Sequence, residues 1–383
     1  MCGDAPRRSQ LCFPRSFPRD RLFAHPTTMP KQTALIVGAT GIVGLNLARY
    51  LVQKSWTVYG LARNPKALPV GAVPLAADLL DPQALKAALA TVKPTHVFLT
   101  TWMRQATEAE NIRVNGAMVR NLMQAIEPAG TVEHVALVTG LKHYLGPFEA
   151  YGHGTLPATP FREEQGRLDV PNFYYAQEDE VFAAAERQGF GWSVHRPHTI
   201  IGYAVGNAMN MGVTLAVYAT LCRETGRPFV FPGSPMQWNG LTDMTDARLL
   251  ARHLLWASTS PAARNQALNI VNGDVFRWKW MWEQLAQWFG ILPAPYPGQT
   301  APLEVQLADA TPLWAHIAKK YSLAEPDLQV LTSPWHTDAD LSRPVEVLTD
   351  MSKSRRLGFL DYQATDQSFY DLFTQLREAH LIP

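Results

Sequence analysis

The stretch that most constrains this chain is Thr33-Ala-Leu-Ile-Val-Gly-Ala-Thr-Gly-Ile-Val-Gly44, a buried strand that runs straight into a glycine turn. Gly38, Gly41 and Gly44 recur every three residues, which lets the backbone turn tightly and approach a pyrophosphate at the N-terminus of the next helix. Glycines also mark plain turns, so the spacing carries weight only in its setting. The setting fits. A helix from Ile42 to Lys54 follows, with Val43, Leu47, Tyr50 and Leu51 as its apolar residues, and a second strand, Trp56 to Ala62, comes next. A dinucleotide is the expected ligand, held at Gly38, Thr40, Gly41, Ile42 and Val43.

The end of the second strand selects between the two nicotinamide dinucleotides. An acid there would accept from the ribose of NAD, whereas an arginine can pair with the extra phosphate of NADP. The chain reads Leu61-Ala-Arg63-Asn64, with Lys66 close by and no acid, so NADPH is expected at Arg63. Asp78 and Leu79, after a third strand over Pro74–Ala77, are expected beside the adenine. A fourth strand, Thr95 to Trp102, delivers Thr101 and Trp102 to the same edge. A helix from Thr107 to Ile126 has a threonine N-cap and acids in its first turn. Fifth and sixth strands end near Thr139 and at His195-Arg-Pro197, and Ile200 after the latter is expected along the nicotinamide. Strands alternating with helices make an α/β fold, a Rossmann doubly wound parallel sheet whose ligands collect at the C-terminal edge.

Beyond Gly202 the pattern changes. We expect an apolar helix over Asn210–Arg223, a short strand over Pro228–Pro232, and a capped helix running to Trp256. A strand returning to the sheet over Asn265–Val271 and an aromatic-rich helix over Trp278–Phe289 follow. The proline-rich stretch from Pro293 to Pro344 reads as the lid-like part of a substrate domain. The expected organisation is a dinucleotide-binding domain over 31–203, with a returning segment near 235–275, and a mainly substrate-binding domain over 204–383. Residues 1–30, rich in arginine and proline, read as a disordered extension or as a start placed too early, with Met29 the true initiator. An organelle transit peptide is the other reading, and the prolines oppose its amphipathic helix.

Composition narrows the function classes. A net charge of +1 gives no reason to expect nucleic acid or membrane as a partner. Three cysteines, two of them in the first twelve residues, imply no disulfide framework, so a reducing, cytoplasmic setting is expected. His195 and His198 have poor metal-ligand spacing and no cysteine cluster beside them; no metal site is expected. A homodimer is the one assembly considered.

The chemistry centres on Lys142 and the pair Tyr174-Tyr175. Rossmann reductases usually carry tyrosine and lysine four apart on one helical face. Here the positions four after Tyr174 and Tyr175 are Glu178 and Asp179. Either the chain lacks this chemistry or Lys142 supplies the cation from a separate segment. On residue type alone, the tyrosines read equally well as core aromatics and Lys142 as a surface loop lysine.

The residues quoted resemble a known family. Gly38-Ala-Thr-Gly-Ile-Val-Gly44, Thr101-Trp102, Thr139-Gly-Leu-Lys-His-Tyr-Leu-Gly-Pro-Phe-Glu149 and Asn172-Phe-Tyr-Tyr-Ala-Gln-Glu-Asp179 are similar to the progesterone 5β-reductase/iridoid synthase-like (PRISE) reductases, an atypical branch of the extended short-chain dehydrogenases. Ser193-Val-His-Arg-Pro197, Val271-Asn-Gly-Asp-Val-Phe-Arg-Trp278 and Leu357-Gly-Phe359 extend the likeness to most of the chain from about residue 33. The resemblance implies NADPH-dependent 1,4-reduction of the double bond of a small hydrophobic enone or enal. It implies Tyr174 and Lys142 as the catalytic residues, and Trp102, Phe148 and Met209 as pocket residues. Leu141, His198 and Pro334-Trp335-His336 depart from plant members, which bears on substrate more than on reaction type. The rival readings are an epimerase-type or carbonyl-reducing short-chain enzyme, and a regulator that binds NADPH without turnover.

Overall fold

Seven parallel strands form the sheet of the computed structural model, which describes residues 32–147, 158–207 and 209–383. They are β1 (Thr33–Val37), β2 (Thr57–Ala62), β3 (Ala72–Ala76), β4 (His96–Leu99), β5 (His134–Val138), β6 (Gly191–Pro197) and, after the short pair β7 (Ile200–Ile201) and β8 (Thr245–Asp246), β9 (Gln266–Ile270). Their order is β3-β2-β1-β4-β5-β6-β9, so the connections reverse direction between β1 and β4 and open a crevice there.

Alternation along the strands supplies two cores. Leu35, Val37, Val97, Leu99, Val135 and Leu137 face one side and pack under α2 (Pro82–Leu89), α3 (Glu108–Ile126) and, past the one-turn α4 (Lys142–Leu145), α5 (Phe173–Gln188). Ala34, Ile36, Val58, Phe98 and Ala136 face the other. There they meet α1 (Ile42–Gln53) and, beyond α6 (Met211–Thr225) and α7 (Pro235–Asn239), α8 (Ala247–Thr259). Strands buried on both faces read as continuous apolar runs, as β1 and β5 do.

A third core lies in the C-terminal half. Helix α6, α9 (Trp278–Phe289), α11 (Ala310–Tyr321) and α15 (Thr365–Glu378) surround Trp278, Trp282, Trp314, Phe369 and Phe373. Three of the eleven tryptophans are thus fully buried in this core, and Trp238 and Trp288 pack against it. The stretch Pro228–Pro232, expected to be a strand, makes only a single bridge, Phe229 to Pro293. Its prolines lack an N–H, and the N–H of Val230 donates to the phenol of Tyr218 at 3.0 Å, which leaves no ladder to build. The stretch 293–344 folds into short helices: α10 (Leu303–Gln306), α11, α12 (Leu328–Leu331) and α13 (Pro334–Leu341). Helix α14 (Ser352–Arg356) then packs on β9.

Six of the eleven histidines are buried, and three of them, His134, His195 and His253, share one hydrogen-bonded chain whose protons can be assigned. The Ser354 hydroxyl donates to the carbonyl of Asn269 at 3.1 Å, so its oxygen accepts from Nε2–H of His253 at 3.1 Å. Nδ1 of His253 is then a lone pair and accepts from Nδ1–H of His195 at 2.9 Å. Nε2 of His195 takes the Ser193 hydroxyl at 2.9 Å, whose oxygen accepts from His134 at 2.9 Å. Burial keeps each ring neutral, and with neutral rings one backbone carbonyl fixes every tautomer. His96 stacks on His134 with ring centroids 6.4 Å apart.

Candidate active site

The glycine loop meets its steric requirements in full. Gly38 has φ +83°, and a Cβ on it would stand 2.6 Å from Cβ of Thr101. A Cβ on Gly44 would lie 2.3 Å from the carbonyl oxygen of Gly38, so this glycine lets α1 press against the loop. Gly41 caps α1 with no side-chain bond, leaving the first N–H groups of the helix, those of Ile42 and Val43 among them, to face an anion. Gly44→Ala is therefore expected to lower stability by about 2 kcal/mol or more and to weaken dinucleotide binding; thermal unfolding and a cofactor titration check it.

The crevice beside this loop is lined by Gly38, Thr40, Arg63, Asp78, Leu79 and Thr101, with Trp102 and two methionines, Met103 and Met118. Arg63 lies exposed at the end of β2. The carbonyl of Leu79 accepts from the Asn121 amide at 2.9 Å, which fixes that wall. Gly41, Ile42 and Val43 are not among the residues lining the crevice, and the side chains of the last two are buried. Ile200 sits in β7, paired with β8, and does not line the crevice. Met209 is half-buried, its N–H held by Asn207 at 3.0 Å, and also lies off the crevice lining. Phe148 falls outside the described residues.

Lys142 and Tyr174 are brought to the same edge from two elements. Lys142 was expected in a loop but opens α4, and it is buried. Its Nζ lies 5.1 Å from the ring centroid of Trp102 and 5.1 Å from that of Phe173. Those two rings stack at 4.8 Å, and Phe173 packs on Tyr174 at 4.4 Å. Gly140, two residues before the lysine, makes room for the phenol. A Cβ there would stand 3.3 Å from the Tyr174 hydroxyl and equally far from the carbonyl of Pro197.

Asn172 joins the two elements. Its amide nitrogen donates to the carbonyl of Lys142 at 2.7 Å, while its oxygen accepts from the N–H of Tyr174 at 3.0 Å and caps α5. Tyr175 turns away and donates to the carbonyl of His143 at 2.8 Å. Glu178, in the place where a lysine would follow Tyr174, is buried and paired with Arg167 at 2.9 Å and Arg196 at 3.6 Å. That helical slot is occupied by an acid whose charge two arginines neutralise. Lys142 instead brings a cation to the aromatic cluster that holds Tyr174.

Sequence reasoning missed the supports of the Trp102 wall. Asn115 on α3 accepts from the N–H of Met103 at 2.7 Å and donates to its carbonyl at 2.9 Å, and Asn111 accepts from the N–H of Gln105 at 2.7 Å. Two asparagines four apart on a buried helical face were the available signal. Among the described residues no group of three or more potential metal ligands is assembled, and no helix is long and apolar enough to cross a membrane.

The profile of the PRISE-like Rossmann-fold domain matches residues 77–383. The chain is 36% identical to the (S)-8-oxocitronellyl enol synthase of Camptotheca acuminata over 366 residues, 92% of this chain and 94% of that one. It is 37% identical to the 3-oxo-Delta(4,5)-steroid 5-beta-reductase of Arabidopsis thaliana over 371 residues, 94% of this chain and 95% of that one. Among solved structures, the Bordetella bronchiseptica enzyme WbmG in complex with NAD has a TM-score of 0.64 at 15% identity, covering 94% of this chain and 98% of that one. The likeness to WbmG is one of fold, and the fold is that of NAD(P)-binding Rossmann proteins.

Proposed function

This chain belongs to the PRISE-like Rossmann-fold family of reductase-type enzymes, and we propose that it catalyses NADPH-dependent 1,4-reduction of the carbon–carbon double bond of a small hydrophobic enone or enal. The observation that carries this reading is the convergence of Lys142 and Tyr174, thirty-two residues apart, through the two hydrogen bonds of Asn172. The chemistry a bound nicotinamide supplies is a hydride, received by the β-carbon of the substrate.

Electrons then move onto the carbonyl oxygen, and the phenol of Tyr174 donates a hydrogen bond to the enolate that forms. Preorganised donors of this kind act where charge develops and need no reorganisation during reaction. Lys142, buried against two aromatic faces, adds positive potential to the same oxygen. Because carbon receives the hydride, Tyr174 need not surrender its proton in the same step; the enolate then takes a solvent proton at its α-carbon to give the saturated product. A lysine on its own helix to drive that transfer is therefore dispensable. Trp102, backed by the fully buried Phe173, presents a flat apolar wall that suits a hydrophobic enone. The reading places the enzyme in the cytoplasm and allows a homodimer.

The test is NADPH consumption with 2-cyclohexenone or progesterone, with products identified. A saturated ketone supports the proposal. An allylic alcohol would point to carbonyl reduction, and binding without turnover across an enone panel would point to a regulator. Cofactor choice is tested separately. Arg63→Ala is expected to weaken NADPH by roughly ten-fold or more and to leave NADH little changed. Equal losses for both, measured by fluorescence titration, would remove Arg63 from the phosphate.

A further inference from the structure

A glutamate in the first turn of a helix ordinarily serves the exposed N–H groups of that helix. Glu108 opens α3, yet both of its carboxylate oxygens are engaged elsewhere, and the Thr107 hydroxyl caps α3 in its place. Oε1 accepts from the N–H of Phe173, sixty-five residues away on α5, at 2.7 Å. Oε2 accepts from the amide nitrogen of Asn111 at 3.0 Å, and the oxygen of that amide accepts from the N–H of Gln105 at 2.7 Å.

One carboxylate therefore joins two parts of the candidate site. The first is the segment 102–105, which belongs to no helix or strand and is held to α3 by Asn115 at Met103 and by Asn111 at Gln105. It carries Trp102, which lines the crevice. The second is the first turn of α5. The N–H of Phe173 goes to Glu108, and the next, that of Tyr174, goes to Asn172, whose amide also holds the carbonyl of Lys142. The helix that carries the tyrosine is thus gripped twice at its start, once toward the lysine and once toward Trp102. Trp102 and Phe173 themselves stack, ring centroids 4.8 Å apart.

The polarity of this relay follows from its donors and acceptors. Gln105 and Phe173 each offer a backbone N–H, so the Asn111 oxygen faces Gln105 and its NH2 faces Glu108. The group at position 108 must then accept twice, which a carboxylate does and an amide cannot.

We infer that Glu108 is a positioning residue for the proposed reduction, its carboxylate setting the Trp102 wall in register with Tyr174. Glu108 does not line the crevice, and it acts through the backbone of the residues it holds. The inference rests on the reductase reading and adds to it the link between the wall that receives the substrate and the phenol that receives its oxygen.

The relay can be broken and then rebuilt with its direction reversed. In Glu108→Gln one NH2 group confronts another at Asn111, and in Asn111→Asp two carboxylates meet. In the double variant the glutamine donates to the new aspartate and still accepts from Phe173, while the aspartate's other oxygen still accepts from Gln105. All four proteins are compared as full chains with NADPH and the enone that wild type turns over fastest, with thermal midpoints alongside. Each single variant is expected to lose about ten-fold or more in kcat. The double variant should return to within about three-fold of wild type, a coupling that the double-mutant cycle reads directly. Folded single variants with wild-type kcat, or a double variant whose loss is the sum of the two singles, overturn the inference.

A second readout needs no turnover. Trp102 is followed by fluorine NMR of the full chain carrying fluorotryptophan, its resonance identified by its loss in Trp102→Phe. That resonance should move in both single variants and return in the double. If wild type reduces no enone, the reductase reading fails. A Trp102 resonance that moves and returns would still uphold Glu108 as the residue that places this wall, and one that never moves would overturn it.

Discussion

Tyr174→Phe is expected to lower turnover of an enone by roughly 10²–10³-fold, the usual consequence of removing one preorganised donor to a developing oxyanion. NADPH affinity should stay within about two-fold, because in the proposed mechanism the phenol oxygen serves the substrate carbonyl and the phosphates are held by the glycine loop and Arg63. The fall should appear in kcat, since the hydrogen bond strengthens as charge builds on oxygen. The ring itself is retained, so its contact with Phe173 persists and the thermal midpoint should hardly move. Single-turnover kinetics with an independent NADPH titration decide the matter. Unchanged turnover removes Tyr174 from the reaction, and a matching loss of cofactor affinity would recast it as a binding residue.

Acid should destabilise this protein well before its carboxylates titrate. Burial pushes His253 down to about 3, and burial with the charges of His96 and Arg264 takes His134 to about 3 as well; burial holds His195 well below its ordinary value. The folded state resists protonation while the unfolded chain accepts protons from pH 6.5 downward, so stability is complete above 6.5 and is lost as pH falls toward 3. Each such histidine costs about 1.4 kcal/mol per pH unit in that window. At pH 5, His134 and His253 together therefore remove about 4 kcal/mol from a total that for most domains is about 5–15 kcal/mol.

Glu163 and Asp338 act in the opposite sense, because burial raises their carboxyl pKa values and the fold binds those protons more readily. Urea unfolding from about pH 7.5 to about 4.5 should show stability falling below 6.5. His253→Gln should make the fall shallower by one histidine's share. An unchanged slope would show that the ring does not resist protonation in the fold.

Much of this was legible in the sequence because short-range patterns carry it. The strand, glycine turn and helix over residues 33–53 follow from spacing alone, and the helix Trp278–Phe289 begins and ends where its aromatic periodicity does. The strand expected to return to the sheet over Asn265–Val271 does so as β9, which pairs with β6. The stretch 293–344 was harder, because its prolines read as loop markers. Pro334 instead occupies the first turn of α13 and Pro302 caps α10, positions where a missing N–H costs nothing. Contacts such as Arg104 with Trp335 join residues too far apart for any periodicity to register. Lys142 could be numbered from the sequence, but its one-turn helix is too short to show a period.

When tyrosine and lysine share a helix, the pitch of that helix fixes the gap between them. Here the amide of Asn172 joins the two elements, gripping the lysine's carbonyl with one end and the tyrosine's N–H with the other. One side chain therefore has a hold on both elements. An aspartate at this position could still cap α5 but would repel the carbonyl of Lys142, shifting one partner while leaving the other in place. A laboratory lineage that needed to reposition the cation for a bulkier or differently polarised substrate would find its shortest route at residue 172.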